Sequence, residues 1–257
     1  KEEPDVCCIC LDELPTDITK LIRATCCGKQ WHIGCQYNVM NSTMPDELKN
    51  RCHQCRKPIP STDKGQIEQL REWLDKGEAW AQRMVAQRYR NGDLGLKQSY
   101  VMAAMLFEKA VAQGDSAAMF DLGRLYEDTG QGVDQSFKKA AELYTMAAER
   151  GYVKAMGNLG VLYFQGQGVD QSNELAIEWW TKAAERGYVI AMSNLGLVYI
   201  QGQGVAQSNE LARKWLTKAA DGGEETAIKA LNILDKMEHA QEEHRRLVQE
   251  KKATKNA

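Results

Sequence analysis

Five glycines recur at nearly fixed intervals along most of the chain. Gly77, Gly114, Gly151, Gly187 and Gly223 are spaced 37, 37, 36 and 36 residues apart. A period in this range constrains the fold more than any other feature. Each unit is one supersecondary element that cannot bury its apolar face alone, so neighbouring units must stack. The two clearest copies are YVKAMGNLGVLYFQGQGVDQSNELAIEWWTKAAERG (152–187) and YVIAMSNLGLVYIQGQGVAQSNELARKWLTKAADGG (188–223). They are identical at 25 of their 36 positions.

Each copy reads as two helices. In 152–187, Ala155, Leu159 and Tyr163 recur every four residues and share a helical face. The GQGV that follows predicts a glycine C-terminal cap and tight turn. DQSN then offers N-caps for the second helix. Two adjacent stripes, Leu175/Trp179/Ala183 and Ala176/Trp180/Ala184, predict a broad buried face on that helix. Small alanines let helices approach, and Trp and Tyr fill the space between. The earlier copies have turns one residue longer, RNGDLGL after Tyr89 and EDTGQGV after Tyr126, and the first copy is the most degenerate. IEQLREWLDKG (67–77) reads as the second helix of a partial unit. The tail starts like another first helix, with Ala227, Leu231 and Leu234. It then becomes strongly charged, and a solvated helix fraying at its end is expected.

Residues 1–60 follow a different grammar. All eight cysteines of the 257-residue chain lie between Cys7 and Cys55, and PIPSTDKGQ (58–66) reads as a boundary. The potential metal ligands fall into pairs: Cys7-x-x-Cys10, Cys26-Cys27, His32-x-x-Cys35 and Cys52-x-x-Cys55. Eight thiolate and imidazole donors suffice for two closed tetrahedral zinc sites. A core of this size needs such staples. Disulfides would more often be spread through a secreted chain, so the clustered pairs point to zinc in a reducing compartment, cytoplasm or nucleus. Cys8, inside the first pair, reads as a non-ligand, although a Cys-x-Cys arrangement with Cys10 stays open. His53, His239 and His244 read as surface residues and Trp31 as packing. A net charge of -2 does not favour nucleic acid or an acidic membrane surface. No apolar run is long enough to span a bilayer. Beginning at Lys1, the sequence reads as a fragment in which a targeting peptide would be out of view.

Two resemblances follow from these motifs. The pattern A..NLG..Y..G.GV…A..W..KAA..G closely resembles the Sel-1-like repeat, a relative of the tetratricopeptide repeat, over four units (77–223). That resemblance implies a helical solenoid with an extended surface for peptides or proteins. CCICLDEL and CHQCRKPIP resemble the opening and closing of a RING finger. The RING resemblance implies a crossed arrangement, with Cys7, Cys10, His32 and Cys35 on one zinc and Cys26, Cys27, Cys52 and Cys55 on the other. It also implies that Ile9 and Pro58 contact a ubiquitin-conjugating enzyme. Arg56 would be the cation that hydrogen-bonds both that enzyme and ubiquitin, a task suited to its planar fork. PHD fingers share the order of ligands, but their aromatic before the last pair is missing here, and the closing CRKPI favours the RING. The tryptophan that many active RINGs carry in that same loop is missing as well: QYNVMNSTMPDELKNR (36–51) contains none.

The expected architecture is therefore a small zinc-stabilised RING-like α+β module followed by an all-α solenoid of helix-hairpin repeats. The boundaries are 1–62 for the zinc finger, 63–76 for a linker and partial repeat helix, 77–223 for the solenoid, and 224–257 for a capping helix and charged tail. The expected function is a RING-type ubiquitin ligase with no covalent catalytic residue of its own. Its zinc module would dock a conjugating enzyme and its repeats a substrate or adaptor. The alternative is a non-enzymatic zinc-binding interaction scaffold.

Overall fold

In a computed structural model of the chain, the described residues are 21–23, 30–32, 52, 60–128 and 132–255. Strands β1 (Leu21–Arg23) and β2 (Gln30–His32) pair antiparallel, with Leu21 opposite His32 and Arg23 opposite Gln30. Ten helices follow among the described residues: α1 (Asp63–Asp75), α2 (Ala79–Asn91), α3 (Tyr100–Ala112), α4 (Ser116–Glu127), α5 (Phe137–Glu149), α6 (Val153–Gln165), α7 (Asn173–Glu185), α8 (Val189–Gln201), α9 (Asn209–Asp221) and α10 (Glu225–Lys255). The helices α2 to α9 make four hairpins, as the period requires. The chain divides into two compact units, residues 1–155 and 156–257.

The period-marking glycines owe their places to backbone conformation. Gly77, Gly114, Gly151, Gly187 and Gly223 all adopt left-handed φ, between 78° and 87°. A Cβ added at Gly77, Gly114, Gly187 or Gly223 would touch nothing within 4 Å. The constraint is thus φ alone, a region that L side chains enter at a cost of about 1–2 kcal/mol. A second set of glycines is fixed by crowding. On Gly123 a Cβ would lie 2.7 Å from the Tyr144 ring, and on Gly160 it would lie 2.5 Å from Trp180 Nε1. On Gly196 it would clash with Leu216. These are equivalent positions, where the large residue of the second helix sits on the backbone of the first. The first hairpin solves the same contact with Ala86 and Phe107, both fully buried in one cluster.

A Gln-Ser dipeptide stitches every hairpin turn. The Gln side chains donate to the last carbonyls of the first helix: Gln98 to Arg90 O, Gln135 to Glu127 O, Gln171 to Phe164 O and Gln207 to Ile200 O, at 2.8–2.9 Å. The serines Ser99, Ser136, Ser172 and Ser208 accept from the backbone N–H three residues on, capping the second helix. Their own N–H groups donate to the carbonyls of Tyr89, Tyr126, Tyr163 and Tyr199. Two carbonyls left orphaned by the end of each first helix are satisfied in this way. The longer turn of the first hairpin has a visible consequence. Leu94 is placed at φ 54°, the one non-glycine with positive φ among the described residues, and its side chain packs on the core.

Three expectations change in detail. Of the two stripes on α7, Ala176, Trp180, Ala183 and Ala184 are buried, but Leu175 is 39% exposed and Trp179 only half-buried. Lys182 Nζ lies 4.3 Å from the Trp179 ring centroid, so a cation rather than a neighbouring helix covers that face. The partial-unit helix α1 starts earlier than its apolar pattern, because Thr62 caps it at Gly65 N. It is tied to the first core by Ile67, Leu70 and the Trp73–Trp80 ring contact. The tail forms one continuous helix to Lys255. Ala227, Ala230 and Leu234 are buried at its start. Arg213 holds it from α9 through Asp235 and Glu238, each at 2.7 Å. Beyond Glu238 its side chains to Lys251 are exposed, His239 and His244 included.

Candidate protein-binding site

The repeats serve as one another's controls. At three first-helix positions the third and fourth hairpins carry Asn158/Asn194, Val161/Leu197 and Phe164/Ile200. The first and second carry Met84/Asp121, Gln87/Arg124 and Arg90/Glu127 instead. The spacing of three puts these positions on one helix face. The mostly neutral face of the later repeats is therefore charged in the first two.

These charged residues meet in the unit formed by residues 1–155. Asp121, 7% exposed, accepts a hydrogen bond from Gln87 Nε2 at 2.6 Å. Arg90 Nη1 lies 3.6 Å from its other oxygen. Burial pushes the Asp121 carboxyl above its ordinary range, while the Gln87 bond and Arg90, Arg83 and Arg124 pull it back. Glu127 is raised for the same first reason, burial, and accepts a short hydrogen bond from the Tyr144 hydroxyl. Arg83 Nε pairs with Asp115 Oδ2 at 3.3 Å, and Asp115 also caps α4 through Ala118 N. Gln113 Nε2 ties the first hairpin together, donating to Gln82 Oε1 and Gly77 O at 2.9 Å.

Arg90 also lines a polar pocket of about 390 Å³, together with Asn91, Gln98, Tyr100, Arg124 and Asp128. Gln98 Nε2 donates to the Tyr100 hydroxyl at 2.8 Å, which leaves that O–H free to donate elsewhere. Arg124 is exposed and forms no ion pair among the described residues, although it acts on Asp121 and Glu127 at longer range. Beside the pocket, α3 exposes Val101 (51%), Met102 (40%) and Met105 (48%). None of these residues was a site candidate from sequence. The signal was the departure of the first two copies from the pattern of the others, which reads at first as mere degeneracy.

The expected zinc and docking residues are only partly within view. Cys7, Ile9, Cys10, Cys26, Cys27, Cys35, Cys55, Arg56 and Pro58 lie outside the described residues. The backbone of His32 ends β2, opposite Leu21. Cys52 is buried, with 1% exposure. Among the described residues no cluster of three or more His, Cys, Asp or Glu could hold a metal. None of the helices searched there is long and apolar enough to cross a membrane.

Sel1 repeats match residues 81–115, 116–152, 153–188 and 189–224, more than half of the chain. The chain belongs to the Sel1 repeat family. Among solved structures it is similar to c5321, a protective antigen present in uropathogenic Escherichia coli strains that displays an SLR fold. The identity is 27%, the TM-score 0.62, and the match covers 76% of this chain and 38% of that one. It is also similar to a Sel1 repeat protein from Oxalobacter formigenes, at 29% identity and a TM-score of 0.60, covering 64% of each chain. The chain thus spans less than two thirds of the length of either relative. No curated protein matches it. The expected all-helical solenoid of helix-hairpin repeats is the shared fold.

Proposed function

We propose that this protein is a zinc-binding interaction scaffold whose Sel1 repeats hold a protein partner. The observation that carries the reading is the repeat array itself: four matched hairpins, with a polar pocket and exposed apolar side chains on the first two. Solenoids of this kind present extended concave surfaces for binding. The pocket holds no nucleophile beside a base, which also fits binding rather than catalysis.

For the N-terminal residues the proposal keeps two zinc ions, held by Cys7, Cys10, His32 and Cys35 and by Cys26, Cys27, Cys52 and Cys55. The donor chemistry supports zinc, since seven thiolates and one imidazole suit a borderline-soft, tetrahedral ion. The β1–β2 pairing supports it too. It sets His32, one of the proposed ligands, at the end of β2 opposite Leu21. A sulfur as buried as that of Cys52 suits a ligand in a closed structural site. Bound zinc supplies folding free energy to a segment too short for a full core. Clustered thiolates of this kind belong in a reducing compartment.

A second reading, ubiquitin ligation, rests on Ile9, Arg56 and Pro58 at the positions the RING resemblance assigns to the conjugating enzyme and ubiquitin. Ligation of this type works by positioning, restricting a thioester to reactive geometries. The separating experiment is discharge of ubiquitin from charged conjugating enzymes, with wild type beside Arg56→Ala and Ile9→Ala. Acceleration by wild type that both substitutions abolish selects the ligase. No acceleration across a broad panel leaves the scaffold alone.

A further inference from the structure

The pocket between the first two repeats has an electrostatic design that the scaffold reading does not by itself require. We propose that it binds a carboxylate side chain of an acidic peptide segment, with the apolar neighbours of that acid lying on α3. This inference rests on the scaffold reading and names the kind of partner it takes.

The lining carries Arg90, Arg124 and Asp128, a formal sum of +1, and Arg90 also faces the buried Asp121, so the net positive charge offered to a ligand is at most +1. That balance suits a monoanionic carboxylate better than a phosphate group, which carries about −1.5 to −2 at neutral pH. The two arginines play different parts. Arg90 is anchored from below by Asp121, at 3.6 Å, so its guanidinium is held in place at little further entropic cost on binding. Arg124 forms no ion pair among the described residues and is exposed, so its fork remains available for a bidentate bond. Gln98 holds the Tyr100 hydroxyl at 2.8 Å as an acceptor, so the phenolic proton is available to a ligand oxygen. The same glutamine grips Arg90 O at 2.9 Å, which ties the pocket wall to the end of α2.

Apolar surface decides between a peptide and a small free acid. Tyr100, which lines the pocket, opens α3, and the next exposed side chains on that helix are Val101, Met102 and Met105. In the equivalent places α5 carries Lys138, Lys139 and Glu142, and α7 carries Glu174, Leu175 and Glu178. Among the second helices of the four hairpins, only α3 carries three exposed apolar residues at these places. Methionine adapts its shape to bound side chains, as a peptide surface requires.

The test uses the full chain and two capped peptides, acetyl-Leu-Gly-Glu-Glu-Leu-Gly-amide and its Gln-Gln counterpart. Nitrogen-detected NMR follows the Arg90 and Arg124 Nε resonances during titration, and fluorescence anisotropy of labelled peptides gives affinities. The Glu-Glu peptide should shift both resonances while the Gln-Gln peptide leaves them in place. Arg124→Gln should weaken binding about tenfold. Met105→Gln should weaken it less and leave the Arg124 shift intact. Equal binding of the two peptides, unchanged affinity in Arg124→Gln, or inorganic phosphate competing more tightly than the peptide would each overturn the inference. A protein partner that binds wild type and Arg124→Gln equally overturns it too, while leaving the scaffold reading standing.

Discussion

At the scale of single residues, Asp121 is a side chain whose chemistry is altered by burial. It is a carboxylate between Gln87 and Arg90 where the later repeats place Asn158 and Asn194. Burial raises its folded-state pKa above the ordinary 3.8, so the folded protein holds that proton more tightly than the unfolded chain. Stability from this group is therefore greatest below the unfolded value and falls as pH rises through the folded one. Asp121→Asn stays neutral and can still accept from Gln87. Urea unfolding across about pH 3 to 7 should show wild type losing stability relative to Asp121→Asn as pH rises. Parallel pH profiles for the two proteins would mean that the carboxylate is adequately solvated or paired at all pH values. Glu127 titrates with the same sign, is present in both proteins, and largely cancels from the comparison.

At the scale of the helix hairpin, the two kinds of glycine make opposite demands. Gly187 needs a left-handed backbone and has open space around it, whereas Gly160 is helical and has Trp180 against it. Gly187→Asn should be close to neutral and Gly187→Ala should cost about 1 kcal/mol. Gly160→Ala gains about 1 kcal/mol of helix propensity but must displace a ring whose Nε1 donates to Gly157 O at 3.1 Å. A net loss of about 1–3 kcal/mol is expected there, partly recovered by Trp180→Leu, the residue type that Leu216 supplies in the fourth repeat. Urea midpoints measure all four variants, and a stabilised Gly160→Ala would contradict the packing argument. These elements were legible in the sequence because period, caps and turn glycines all agree on one answer. Serine caps, the two-helix unit and the αL glycines all follow from local chemistry. The partial exposure of Leu175 and Trp179 was not legible, since periodicity identifies a helix face but not whether a neighbour or a lysine covers it. The pocket escaped for a related reason: its residues come from two hairpins and register only as imperfect copies.

At the scale of the whole chain, the helical repeats and the proposed zinc module would draw on different sources of stability. The helical units rest on buried apolar residues such as Phe107, Tyr144, Trp180 and Leu216. The N-terminal residues have the composition of a metal-stapled module. Element analysis of the purified chain should give two zinc ions. Cys26→Ser should lose one whole ion rather than a fraction, because a closed site missing a ligand binds far more weakly. Chelation should leave the helical circular dichroism of the repeats largely unchanged while exposing thiols to Ellman's reagent. A single zinc, or unchanged zinc content in Cys26→Ser, would mean that the adjacent Cys26–Cys27 pair is not used as the crossed arrangement implies.

The proposed function requires that the Sel1 repeats be the protein-binding part of the chain. Its most direct test is site-resolved cross-linking with photoreactive residues placed one at a time along the full chain, at Met105, Met146 and Leu175 in the repeats and at Asp17 and Asn41 before them. A partner recovered in this way is then purified and titrated. Saturable binding is expected, with cross-links concentrated at the repeat positions and strongest at Met105. Cross-links confined to Asp17 and Asn41, with the repeat positions silent at saturation, would contradict it.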